Sequence, residues 1–85
     1  MYNDAMKRAF KSLQGHCPRG FFVDLIDNDN FITIRINSES LLRLEHDEKR
    51  RAVEYVYRVK EAFEDLGANV LVTRLPIDTP PNLGA

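Results

Sequence analysis

The residues best suited to chemistry in this chain are one cysteine, two histidines and a group of aspartates. His16 and Cys17 are adjacent, and His46 lies far along the sequence. A structural zinc site needs four nitrogen or sulfur ligands, usually in two closely spaced pairs. A cysteine nucleophile needs a nearby base and a group that orients it. Neither set is recognisable, so we predict that the protein is not an enzyme and that it binds no metal and no cofactor.

Three of the aspartates lie in or just before the polar segment 27–30, whose sequence is DNDN. Asp27 and Asp29 are of the residue type that forms turns. Asp24 lies within an apolar run, and we interpret it as half of a structural ion pair with Arg35, diagonally across the hairpin. A calcium loop would show a longer and more regular spacing of oxygen ligands. The aspartates therefore predict a turn rather than an active site.

The segment 21–36, FFVDLIDNDNFITIRI, has the pattern of a β-hairpin around that turn. Asn and Asp suit such turns because they tolerate left-handed backbone conformations. Alternation of side chains makes one face of the hairpin wholly apolar, and that face must be covered. It comprises Phe21, Val23, Leu25, Ile32, Ile34 and Ile36.

The other face of the hairpin is mixed in character. A loop of two residues and a loop of four give the same register. The predicted pairs are Phe22 with Arg35, Asp24 with Thr33, and Ile26 with Phe31.

The remaining elements follow from apolar periodicity. Residues 2–14 predict an amphipathic helix that ends before Gly15, residues 39–43 a short helical turn, and residues 69–75 a strand. A main helix begins at His46 or Asp47, runs to Leu66 and is followed by Gly67. Its predicted buried stripe consists of Ala52, Val53, Val56, Val59, Phe63 and Leu66.

These elements predict an α+β fold, a two-layer sandwich of order α-β-β-α-β with a three-stranded sheet and its helices mainly on one face. The third strand is either parallel beside the second, through a right-handed crossover, or antiparallel beside the first. We expect residues 1–75 to form a single domain. Residues 76–85 are Pro-rich and non-periodic, so we expect a flexible tail.

The composition fits a small protein of a reducing compartment. The chain has 85 residues, a net charge of −1 and a single cysteine. It shows no signal peptide and no apolar run of the length that crosses a membrane. We interpret it as a complete small reading frame whose product is cytoplasmic.

Basic residues occur on both predicted helices, as Lys7, Arg8 and Lys11 and as residues 49–51. Acidic residues surround the second group at helical spacing and are expected to neutralise it. The expected pairs are Asp47 with Arg51, Arg50 with Glu54, and Glu54 with Arg58. Nucleic-acid binding through the basic residues, together with Arg19, is therefore the alternative interpretation rather than the first.

The strongest functional candidate is a contact surface for a protein. If both helices cover the apolar face of the sheet, the mixed face is left exposed, and an exposed apolar patch usually marks an interface. A second candidate surface is the outward side of the main helix, where an exposed tyrosine lies among arginines. The residues concerned are Phe22, Asp24, Ile26, Phe31 and Arg35 on the sheet and Tyr57 and Arg58 on the helix.

We therefore predict a small non-enzymatic protein-binding or regulatory accessory protein. Size and the lack of catalytic groups suggest a phage or bacterial protein that acts as an inhibitor or adaptor of a host protein. Its partner is another protein or a second copy of the chain, as in a homodimer, and we expect no membrane association.

Overall fold

The structure, a computed structural model, describes residues 2–75. Within these residues, three α-helices and three β-strands follow one another in the predicted order. The helices are α1 (Asp4–Ser12), α2 (Ser38–Leu42) and α3 (His46–Asp65). The strands are β1 (Val23–Asp27), β2 (Ile32–Asn37) and β3 (Val70–Leu75). The tail predicted for residues 76–85 lies outside the described residues.

The strands form one mixed sheet of order β1-β2-β3. β1 and β2 are antiparallel, whereas β3 is parallel to β2. The α+β fold predicted from the sequence is confirmed, and of the two positions left open for the third strand the parallel one is observed. The crossover through α2 and α3 supplies the length that a parallel connection requires.

The register predicted for the hairpin is wrong by two residues. Asp24 is opposite Arg35 rather than Thr33, and Ile26 is opposite Thr33 rather than Phe31. The turn is displaced because β1 extends through Asp27, after which the Asn28 N–H donates to the Phe31 carbonyl at 2.9 Å. A shift of two residues keeps every side chain on its predicted face, since the strand period is two.

Side-chain caps define where two of the helices begin. Asn3 Oδ1 accepts a hydrogen bond from the Met6 N–H at 3.0 Å, and Asn37 Oδ1 accepts one from the Ser40 N–H at 2.8 Å. These caps satisfy N–H groups that have no partner within the helix. α1 is shorter than predicted, because Gly15 lies within a short 3-10 turn, Gln14–His16, that continues it.

α3 ends as its sequence predicts. Gly67 has a φ of +93°. Its N–H donates to the Glu64 carbonyl at 2.9 Å, and the Ala68 N–H donates to the Phe63 carbonyl at 3.0 Å. This pair of bonds is the Schellman arrangement, which satisfies the last carbonyls of a helix and reverses the chain toward β3.

The buried stripe of α3 is rotated relative to the prediction. Tyr55, which the prediction left out, is buried, whereas Val53 and Leu66 are each 44% exposed. Tyr55 can be buried because its hydroxyl accepts a hydrogen bond from Gln14 Nε2 at 2.7 Å. The other four predicted positions are buried: Ala52, Val56, Val59 and Phe63.

Both long helices lie on the apolar face of the sheet. α1 packs on α3 through Phe63, whose ring centroid is 6.0 Å from that of Tyr2 and 6.5 Å from that of Phe10. On the sheet, Ile32 and Ile34 are fully buried beneath the helices. Within the described residues, the second face of the sheet is therefore left without a helix.

Candidate functional site

The helix-free face of the sheet carries three exposed apolar side chains. Phe22 is 53% exposed, Ile26 36% and Leu71 50%. Ile26 and Leu71 flank Thr33 in one cross-strand row, since both are paired with it. Phe22 lies at the other end of the face, where its carbonyl accepts a hydrogen bond from the Asn37 N–H at 3.3 Å.

Between these apolar positions runs a polar row across the sheet. It consists of Asp24, Arg35 and Thr73, which are paired in the two registers. Arg35 Nη2 donates to Asp24 Oδ2 at 3.1 Å, which forms the predicted ion pair directly rather than diagonally across the hairpin. Arg35 Nε is buried and has no hydrogen-bond partner among residues 2–75.

The ion pair does little for stability. The side chains of Arg35 and Asp24 are 39% and 50% exposed, and such exposed pairs contribute about 0–1 kcal/mol. A buried N–H without a partner costs about 1–3 kcal/mol. An apolar or β-branched residue at the centre of the sheet would be at least as favourable for folding. The Asp24–Arg35 pair therefore places charged groups on this face without a gain in stability.

The helix-free face differs from the predicted surface at two positions. Phe31 immediately precedes β2. It is half-buried at the tip of the hairpin and is not opposite Ile26. Leu71, which the prediction did not include, is the third exposed apolar side chain on this face. Its position depends on the parallel pairing of β3 with β2, which the sequence left open.

Tyr57 and Arg58 do not belong to the helix-free face. Tyr57 is 54% exposed on the outward side of α3, and α3 covers the opposite face of the sheet. The two residues line a shallow depression of about 430 Å³ together with Val53, Glu54 and Glu61. The seven predicted contact residues therefore divide between two separate surfaces.

The ion pairs predicted along α3 are not formed. Among residues 2–75, Arg50, Arg51 and Arg58 have no carboxylate within 4.0 Å, so neither Asp47 nor Glu54 pairs with them directly. Arg51 and Arg58 line a cavity of about 220 Å³ together with Glu54 and with His16 of the turn that follows α1. Their guanidinium groups are consequently not held in direct ion pairs within residues 2–75.

Cys17 lies where formation of its thiolate is disfavoured. Its Sγ donates to the Phe21 carbonyl at 3.2 Å, and partial burial raises the pKa of the thiol. The thiolate is the nucleophilic form, so this environment disfavours covalent chemistry. Among residues 2–75, no three His, Cys, Asp or Glu side chains are grouped so that they could hold a metal ion.

The chain matches no protein-family model, and neither the curated proteins nor the solved structures contain one that is significantly similar to it. Its function is therefore inferred from side chains and geometry. In the part of the chain that the structure describes, no helix is both long and apolar enough to span a bilayer.

Proposed function

We propose that this chain is a small non-enzymatic protein-binding protein and that the helix-free face is its contact surface. The observation that carries the proposal is the exposure of Phe22, Ile26 and Leu71 on one face, on both sides of the Asp24–Arg35 pair. Clustered apolar groups with a charged centre favour a protein partner, because aromatic residues and arginine are enriched at such interfaces.

The area of the helix-free face limits the size of the interface that this face alone can form. Three strands about 4.8 Å apart and six residues long, at about 3.3 Å per residue, give a plan area of roughly 280 Å². A standard interface buries about 800 Å² on each partner. The helix-free face is therefore proposed as the centre of a larger interface, or as the whole of a transient one.

The regulatory role predicted from the sequence remains part of this proposal. A chain of this size without catalytic groups acts on another protein by occupying its surface, as an inhibitor or adaptor does. A phage or bacterial accessory protein that targets a host protein fits that description. The net charge of −1 adds no long-range preference for a strongly charged partner.

The test is affinity purification from cells of the source organism, with the wild-type chain and two double variants as bait. Phe22→Lys with Ile26→Lys alters the helix-free face. Leu42→Lys with Leu66→Lys is the matched control, because these leucines are 47% and 44% exposed and lie outside that face.

Mass spectrometry of the eluates should identify proteins that the control variant retains and the face variant loses. Binding of the purified partner should then weaken by about tenfold or more for the face variant, the effect of losing an anchor worth about 1.4 kcal/mol. Equal binding by both variants, with circular dichroism showing that both are folded, would exclude the helix-free face.

Nucleic-acid binding is the second candidate, and one observation favours it. The guanidinium groups of Arg51 and Arg58 are not ion-paired within residues 2–75, contrary to the expectation from their spacing. A phosphate-binding surface would retain the chain on heparin at low salt, and its affinity would fall steeply as salt increases. Elution without retention at low salt would eliminate this candidate.

A further inference from the structure

β3 is an edge strand, and within residues 2–75 the backbone edge that it turns away from β2 is unpaired. Its side chains are exposed on both faces of the sheet: Leu71 is 50% exposed on the helix-free face, and Val72 is 36% exposed on the helix-covered face. In residues 2–75, no strand pairs with its outer edge. A six-residue edge of this kind is a template for pairing with another chain.

The hydrogen bonds to β2 identify which backbone groups of β3 face outward. The Ile32 N–H donates to the Asn69 carbonyl at 2.9 Å, and Ile32 is the register partner of Val70. In a parallel ladder the residues on either side of a register partner make the bonds. Leu71 and Thr73 therefore bond inward. Val70, Val72 and Arg74 present their N–H and carbonyl groups to the open edge.

The two edges of the sheet differ in how well they are protected against pairing with another strand. β1, the opposite edge, carries Asp24 and Asp27, and charged side chains of this kind discourage strand pairing. Along β3 the one charged side chain is that of Arg74, and its Nε donates to Ser38 Oγ at 3.0 Å. The β3 edge thus lacks the charges that keep an edge strand single.

We propose that β3 pairs antiparallel with β3 of a second copy of the chain, with Val72 opposite Val72. This register brings all the outward-facing residues into hydrogen-bonded pairs, because Val70 is then opposite Arg74 at each end. No like charges face each other across the junction. The two-fold axis perpendicular to the sheet makes the contact isologous, which is the usual form of a homodimer.

The geometry favours a second copy over the chain's own tail. The exposure of Val72 on the helix-covered face means that α3 does not extend over the edge. The segment after β3 contains Pro76, Pro80 and Pro81, and each proline lacks the N–H that a ladder needs. The sequence of that segment is therefore poorly suited to pair with β3.

The test combines the mass of the assembly with complementary charges at Val72. Sedimentation or native mass spectrometry from about 1 µM to about 1 mM should show dimers of the wild-type chain. Val72→Lys and Val72→Glu should each weaken the dimer by about tenfold. The two substituted residues would be directly opposite each other, with their Cα atoms about 5.5 Å apart, so that their like charges repel. An equimolar mixture of the two variants should restore dimers, and these should contain one chain of each kind.

Amide hydrogen exchange of the wild-type chain provides a second measurement that needs no substitution. The N–H groups of Val70, Val72 and Arg74 should exchange more slowly as the protein concentration increases. Those of Leu71 and Thr73 should be protected at every concentration, because they bond to β2. If the Val72 variants fail to fold, this concentration dependence decides the matter.

Three results would overturn the proposal: a single-chain mass at about 1 mM, homodimers that both charge variants form as well as the wild type does, or exchange at the outward amides that does not depend on concentration. The Phe22→Lys with Ile26→Lys variant alters the helix-free face alone and should still dimerise. Failure of the edge proposal is thereby distinguished from failure of the proposed function.

Discussion

Phe63 joins the two long helices, and its replacement by alanine should remove a large part of the stability of the domain. The ring is fully buried and contacts the rings of Tyr2 and Phe10, with the Tyr2 ring at an interplanar angle of 75°. Truncation of a buried phenylalanine costs about 3–5 kcal/mol. A domain of this length has a free energy of unfolding of roughly 4–13 kcal/mol, so the loss is at least about a quarter of the total.

Urea denaturation followed by circular dichroism measures this loss. Leu66→Ala on the same helix is the control, and since Leu66 is 44% exposed it should change the unfolding free energy by less than about 1 kcal/mol. A double-mutant cycle of Tyr2→Leu with Phe63→Leu should give a coupling of about 0.5–1.5 kcal/mol for the edge-to-face pair. A loss below about 1 kcal/mol for Phe63→Ala, or no coupling, would refute the packing of α1 on α3.

Three further changes test the core, the titration of a buried group and the tail. Val56→Asp should unfold the domain because it buries an unpaired charge, whereas Arg58→Asp on the exposed side should leave the circular dichroism spectrum unchanged; equal effects would contradict the phase of α3. Burial raises the pKa of Tyr55 from 10.0 to about 12, so its hydroxyl ionises more readily in the unfolded chain. The contribution of the neutral Tyr55 hydroxyl to the free energy of unfolding should therefore be fully present below pH 10 and should fall by about 2–3 kcal/mol between pH 10 and pH 12. Urea denaturation of the Tyr55→Phe variant should show a smaller fall over the same pH range. Truncation after Pro76 should leave the melting temperature nearly unchanged, and a drop of many degrees would mean that the tail packs on the domain.

The sheet face on which each hairpin side chain lies could be predicted from the sequence, whereas the residue opposite it on the neighbouring strand could not. Face assignment depends only on alternation, which survives any shift by an even number of residues. The partner depends on where the turn begins, and four consecutive Asn and Asp residues offer several equivalent turns. The Asp27 carboxylate, which accepts a hydrogen bond from the Tyr2 N–H at 3.1 Å, is part of a tertiary contact that the local sequence does not reveal.

The buried stripe of α3 was predicted incompletely for a related reason. Tyr55 carries a polar hydroxyl, so its burial depends on a partner distant in sequence, and that partner is Gln14 in the turn after α1. Val53 is apolar and close to the stripe, yet it remains 44% exposed because no element within residues 2–75 covers it. Helical periodicity identifies the centre of a buried stripe, while its margins depend on the neighbouring elements.

The two proposed surfaces adjoin each other at β3. Leu71 belongs to the helix-free face through its side chain, and the next residue, Val72, directs its N–H and carbonyl groups to the open edge. A two-fold axis perpendicular to the sheet keeps the helix-free faces of both copies on the same side. Pairing at the edge would join them into one surface with a plan area of roughly 560 Å², closer to the area that a standard interface buries on each partner. A dimeric chain would therefore present a more adequate protein-binding surface than a single copy, and a partner that binds the helix-free face should stabilise the dimer.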